Sequence, residues 1–134
     1  MIANNNIAYV GTLQELGRPF SMLFVDKEDR QLYVFVRLSD ERNNRFLVTG
    51  VSSHEVESYM NENIGLLNML THKPYQLATI YDNIISIGNE KFYNFTPTDR
   101  MKKMNMFNPE LCDDDVWLEV FLNRLNNNQP LEIA

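Results

Sequence analysis

The sequence predicts an α+β protein, a mostly antiparallel β-sheet flanked by two or three helices, as a single compact domain over residues 1–134. Three observations carry that prediction. Short apolar runs rich in β-branched and aromatic residues, broken by polar turns, fill residues 7–51 and 75–95. A helical period replaces them over 52–70 and again near 114–125. Strands therefore come in runs and helices in runs, and no internal repeat, heptad series or linker divides the chain.

Taken in order, "IAYVGT" (7–12) and "PFSMLFV" (19–25) read as two strands, punctuated by Gly17 and Pro19. The polar segment Asp26 to Arg30 and the apolar "QLYVFVRL" after it extend the second strand into a β-hairpin with a five-residue loop. "RFLVTGV", Arg45 to Val51, is too short for a helix and reads as a fourth strand. At "VSSHEVESYMNEN" the period changes. Ser52 can cap the first free amides while Glu55 reaches back, so a helix begins here with Val56, Tyr59 and Met60 on its inner face. Ile64, Leu67, Met69 and Leu70 in "IGLLNMLTH" predict a short second helix, stopped by Pro74.

"YQLATIYDNIISIGNEKFYNF" (75–95) predicts a further antiparallel pair or triplet, with "GNEK" as its tight turn and Ile85 and Ile87 facing inward. From Thr96 the pattern weakens to an irregular crossing or one helical turn. A last helix runs from about Asp114 to Leu125, with Val116, Trp117, Val120, Phe121 and Leu125 on one stripe. The chain holds 17 Asn, and the runs at Asn4 to Asn6 and Asn126 to Asn128 mark residues 1–6 and 126–134 as solvated, flexible ends.

Composition narrows the function classes. A formal charge of -6 and a pI near 4.8 oppose direct nucleic-acid binding, which draws most of its affinity from Lys and Arg displacing phosphate counterions. No apolar run approaches the ~20 residues that span a bilayer, and "MIANNNIAYV" lacks the basic flank and apolar core of a secretory leader. One cysteine, Cys112, cannot form an internal disulfide. Together these place the protein in the cytoplasm, away from membranes.

The densest cluster of reactive groups is "ELCDDDVWLEV" (110–120). Three carboxylates just before an apolar helix sit where four amides are unpaired and the dipole is positive, so they read as a cap. No alternating oxygen pattern with a bend glycine follows, as a hard-cation loop requires. Cys112 beside those charges makes a poor nucleophile, because negative neighbours raise a thiol's pKa. His54 and His72 lie 18 residues apart, outside zinc-ligand spacings, which leaves a His54, His72, Cys112 site as a remote alternative. The hydrolase elbow, the phosphate loop and the dinucleotide glycine pattern are missing from the sequence, and Glu55 and Glu57 do not face one another on a helix. Neither a cofactor nor a catalytic residue is expected.

"RMKKMNMF" departs from the acidic balance. Arg100, Lys102, Lys103, Met104, Met106 and Phe107 form the expected partner-binding surface, since methionine repacks easily around different partners. The rival reading is a connection whose methionines fill the core edge while its lysines stay wet.

The stretches "GRPFSMLFVDKEDRQLYVFVRLSD" and "RFLVTGVSSHEVESYMNENIGLLNML" resemble a family of small uncharacterised prokaryotic proteins. The shared pattern is a Pro-aromatic strand, a hairpin, a Leu-Tyr strand, and a strand running into a Ser-capped helix and a leucine-rich turn. It covers about residues 8–80 and consists of apolar positions and turns. The resemblance implies a fold and a bacterial or phage origin, and carries over no activity and no site residue.

The leading expectation is a non-catalytic protein–protein interaction module whose partner is another protein, or a second copy of the chain paired through an exposed edge strand. A second is an acidic phage or mobile-element protein that offers Asp113, Asp114 and Asp115 to the nucleic-acid cleft of a host defence protein. A third is a small-ligand protein or enzyme with a pocket between sheet and helices, lined by Tyr33, Tyr59, Tyr75 and Trp117.

Overall fold

The computed structural model describes residues 2–3, 6–15, 19–38, 44–97, 99–104 and 116–131. Seven strands run in the order β1 (Ile2–Ala3), β2 (Ile7–Glu15), β3 (Pro19–Asp26), β4 (Leu32–Arg37), β5 (Arg45–Val51), β6 (Gln76–Tyr81) and β7 (Ile84–Ile87). Among the described residues there are four helices, α1 (Ser53–Met60), α2 (Leu66–Leu70), α3 (Asp99–Met104) and α4 (Val116–Asn126). The expected α+β class with an antiparallel sheet is what the structure shows. Among the described residues no helix is long and apolar enough to cross a membrane.

Every neighbouring pair in the sheet is antiparallel, in the spatial order β1-β7-β6-β5-β4-β3-β2. β1 and β2 are thus the two edges, although they follow one another in the chain and, by that alternation, point the same way. From Ala3 to Ile7 the chain can reach at most ~14 Å. A flat sheet of seven strands would hold its edges about 29 Å apart. The sheet must therefore curl so that its two edges approach one another. Ile7 on β2 and Ile85 on β7 accordingly meet in one apolar cluster.

Curling gives the sheet an inside and an outside, and both are apolar. Strand alternation sends Met22, Phe24, Phe35, Phe46, Val48 and Ala78 inward, where Phe24 and Phe35 lie 4.2 Å apart between ring centroids. The guanidinium of Arg37 sits 4.8 Å from the Phe46 ring centroid and donates to Asn44 Oδ1 at 3.2 Å, which lets a charge lie buried among aromatics. The alternate residues Leu23, Val25, Leu32, Val34, Val36, Leu47 and Val51 face outward into a second core shared with the helices. This two-sided burial explains why "SMLFV", "LYVFV" and "FLV" read as continuous apolar runs.

α1 begins as expected: Glu55 N donates to Ser52 Oγ at 3.1 Å and Ser52 N donates to Glu55 Oε1 at 3.1 Å, while Val56 and Tyr59 are buried. α2 is shorter than "IGLLNMLTH" predicts. It ends at Leu70, and His72, expected as its last residue, lies beyond it, exposed and with φ of 62°.

The tight turn of the β6–β7 hairpin is Asp82–Asn83, not "GNEK". Both residues have positive φ, 49° and 65°, the geometry of a two-residue turn that matches strand twist and favours Asn and Asp. Beyond β7, Phe92 exchanges two 2.9 Å backbone hydrogen bonds with Tyr75, and their rings stack at 5.4 Å.

α4 also corrects the reading. Leu118, Phe121 and Leu122 are buried and Trp117 and Leu125 half-buried, whereas Val116 and Val120 are exposed. "VWLEVFL" is apolar nearly all round, and the stripe with the larger side chains took the core. Trp117 lies where Gly11 on β2 has no side chain, and at the other end Arg30 Nη2 donates to the Arg124 and Leu125 carbonyls at 3.1 and 3.3 Å.

Within the stretches expected as solvated ends, Ile2–Ala3 pairs with β7, the Asn6 carbonyl accepts from Lys27 N at 2.9 Å, and Asn126 is the last residue of α4.

Candidate functional site

The surface expected from Arg100 to Phe107 divides. Arg100, Lys102, Lys103 and Met104 belong to α3, which packs against α2. Met101 is buried and Lys102 exposed, the arrangement in which methionine fills the core and lysine stays wet. Met106 and Phe107 lie outside the described residues, as do Cys112 and the Asp113, Asp114, Asp115 run.

The four aromatic residues expected around one pocket sit in different surroundings. Tyr59 is buried in the helix-side core, where its hydroxyl has no hydrogen-bond partner among the described residues, and burial pushes its phenol well above the usual value. Tyr75 stacks on Phe92 and meets Phe95 edge-on at 5.9 Å. Trp117 covers Gly11. Tyr33 lines an open cleft.

Two surface features among the described residues bear on function, one apolar and one polar. The apolar one is the outer face of the β6–β7 hairpin. Alternation points Ala78, Ile80, Ile85 and Ile87 inward, which leaves Leu77, Thr79 and Tyr81 on the other side with Ile84 and Ser86. Tyr81 and Ile84 are a direct cross-strand pair closing the turn, and they are 74% and 53% exposed. Leu77, Tyr81 and Ile84 join neither core cluster. The sequence reading missed this face because "YQLATIYDNIISI" is apolar on both parities. The available signal was the Asp82–Asn83 turn, which fixes the register and with it the outward parity.

The polar feature is a cleft of about 500 Å³ between the ends of β4 to β6, the start of α1 and the segment after β7. Gln31, Tyr33, Thr49, Ser52, Glu55, Lys73, Gln76 and Lys91 supply its polar side chains. Several are already engaged. Gln31 Nε2 donates to the Leu32 and Val51 carbonyls at 2.9 and 3.0 Å, and Gln76 Nε2 donates to the Gly88 carbonyl at 2.9 Å.

Lys73 ion-pairs with Glu55 and donates to the Gly50 carbonyl at 3.4 Å. Partial burial opposes the charge on Glu55, yet the Lys73 ammonium and the Ser52 amide and hydroxyl outweigh it and hold the carboxyl below its ordinary range. Burial, aided by Asp29 and Asp26, raises the Tyr33 phenol, which therefore remains a neutral hydroxyl at physiological pH.

No family model matches the chain, and neither a curated protein nor a solved structure matches it. The geometry therefore carries the functional reading unaided.

Proposed function

We propose that the chain is a cytoplasmic, single-domain, non-catalytic protein–protein interaction module whose contact surface is the outer face of the β6–β7 hairpin. The supporting observation is the Tyr81–Ile84 pair: two large apolar side chains, side by side, exposed on a short and well-defined turn. Tyrosine at such a place brings large contact area at low entropic cost, and a two-residue turn holds it in one position before a partner arrives. The partner is another protein, which includes a second copy of this chain.

The test compares the wild-type chain with a Tyr81→Ala, Ile84→Ser double variant. Both side chains lie outside the two cores, so the variant is expected to melt within a few degrees of the parent. Native mass spectrometry of each, recovered from host lysate and also purified alone, reads hetero- and homo-association. Loss of a stoichiometric partner, or of the dimer, in the folded variant supports the surface. Association that survives both changes overturns it. Lys102→Glu, on the exposed face of α3, is the parallel arm for the basic surface expected from the sequence.

A further inference from the structure

We propose that the cleft between the β4–β6 ends and α1 binds a small monocarboxylate, with the Lys91 and Lys73 ammonium groups taking its charge and the Tyr33 hydroxyl donating beside them. The site lies on a different part of the molecule from the hairpin tip, and its size falls within the ~300–1,000 Å³ of small-molecule pockets.

Most hydrogen-bonding groups of the lining are already committed. Both oxygens of the Glu55 carboxylate are engaged: Oε1 accepts from the Ser52 amide and hydroxyl, and Oε2 is held by Lys73. Its charge is thus spent on the helix cap and on one lysine. Gln31 has committed both amide hydrogens to backbone carbonyls, and the buried Thr49 hydroxyl donates to the Pro74 carbonyl at 3.0 Å. What remains as donors is the second amide hydrogen of Gln76, the third hydrogen of Lys73, the Tyr33 hydroxyl, and Lys91, whose ammonium has no ion pair among the described residues. In a chain of net charge -6 this is a cationic opening in an acidic surface.

The remaining donors select the ligand. A phosphate needs a cradle of free amides or a forked guanidinium. The cleft lining contains no arginine, and the first-turn amide of α1 at Glu55 is closed by its own cap. A second negative charge on the ligand would approach Asp26 and Asp29, whose field already reaches Tyr33, and Glu90 stands exposed next to Lys91. One carboxylate fits the donors present, and more charge is repelled.

The experiment is an amide NMR titration of the full chain at pH 7 with acetate, lactate and benzoate, against chloride, phosphate and succinate at matched ionic strength. Saturating shifts centred on residues 31–33, 48–55, 73–76 and 91 with the monocarboxylates are expected. Lys91→Ala, an exposed change that leaves the fold intact, is expected to weaken binding about tenfold, as loss of a charged hydrogen bond does, while Lys91→Arg retains it. Absence of saturable shifts, shifts unaltered in Lys91→Ala, or phosphate or succinate binding as tightly as the monocarboxylates would each overturn the proposal.

Discussion

Gly11 shows how much one missing methyl group can decide. A Cβ built at that position would lie 2.2 Å from the far edge of the Trp117 ring, so any larger residue expels the indole. Gly11→Ala is expected to cost about 1–3 kcal/mol, the usual range for overpacking, and to red-shift tryptophan emission in the folded state. Urea denaturation followed by fluorescence reads both. Tyr59 is the opposite case, because its hydroxyl is buried with no partner among the described residues. Tyr59→Phe keeps the ring and removes the unsatisfied group, so its melting temperature is expected to equal or exceed the parent's; a clear drop would reveal a partner for the hydroxyl. At Glu55 the sign follows from the lowered folded-state pKa. Its ion pair and cap stabilise the fold above the ordinary value of 4.5 and fade as pH falls through the lower folded value. Glu55→Gln is accordingly expected to be less stable than the parent at pH 7 and to converge with it in acid, as melting curves across pH 2–8 can check.

At the scale of elements, α4 is held at its end by a residue from a distant turn. Arg30, itself left-handed at φ 66°, gives two hydrogen bonds to the Arg124 and Leu125 carbonyls, which also accept from Gln129 N and Asn128 N as the chain leaves the helix. Arg30→Ala is expected to cost about 1 kcal/mol and to speed amide exchange in the last turn of α4 ahead of the strands. That contact was invisible in the sequence, since residues 30 and 124 are related by tertiary geometry and by no local pattern. The strands and the α1 cap were legible because each rests on neighbours in the chain: alternation, β-branching, and a serine three residues before a glutamate. α4 was legible as a helix and misread as to its face, because a segment apolar on most sides offers two stripes and packing volume chooses between them. The hairpin turn was misplaced for a related reason. "GNEK" contains the glycine that usually marks a turn, but Asp82 and Asn83 tolerate positive φ and were already flanked by strand residues. The hairpin tip and the cleft depend on which parity faces in and on which side chains from 31, 55, 73 and 91 meet, and that requires the assembled sheet.

For the whole molecule the governing feature is a curled sheet apolar on both faces, with helices packed on part of its outside. Phe35 sits near its centre, wholly buried between Phe24 and Phe46. Phe35→Ala is expected to cost about 3–5 kcal/mol, a large part of a small protein's stability, and urea denaturation measures it. The pairing of the first strand with the last also has a consequence in time. During synthesis β2 meets β3 almost as soon as both have left the ribosome, whereas β1 must wait for Ile87, some 85 residues later, before its edge has anything to pair with. The opening residues of the chain are therefore among the last to find their place, and a nascent chain halted before residue 84 holds an open sheet whose inner aromatic face has not yet been shut away from water.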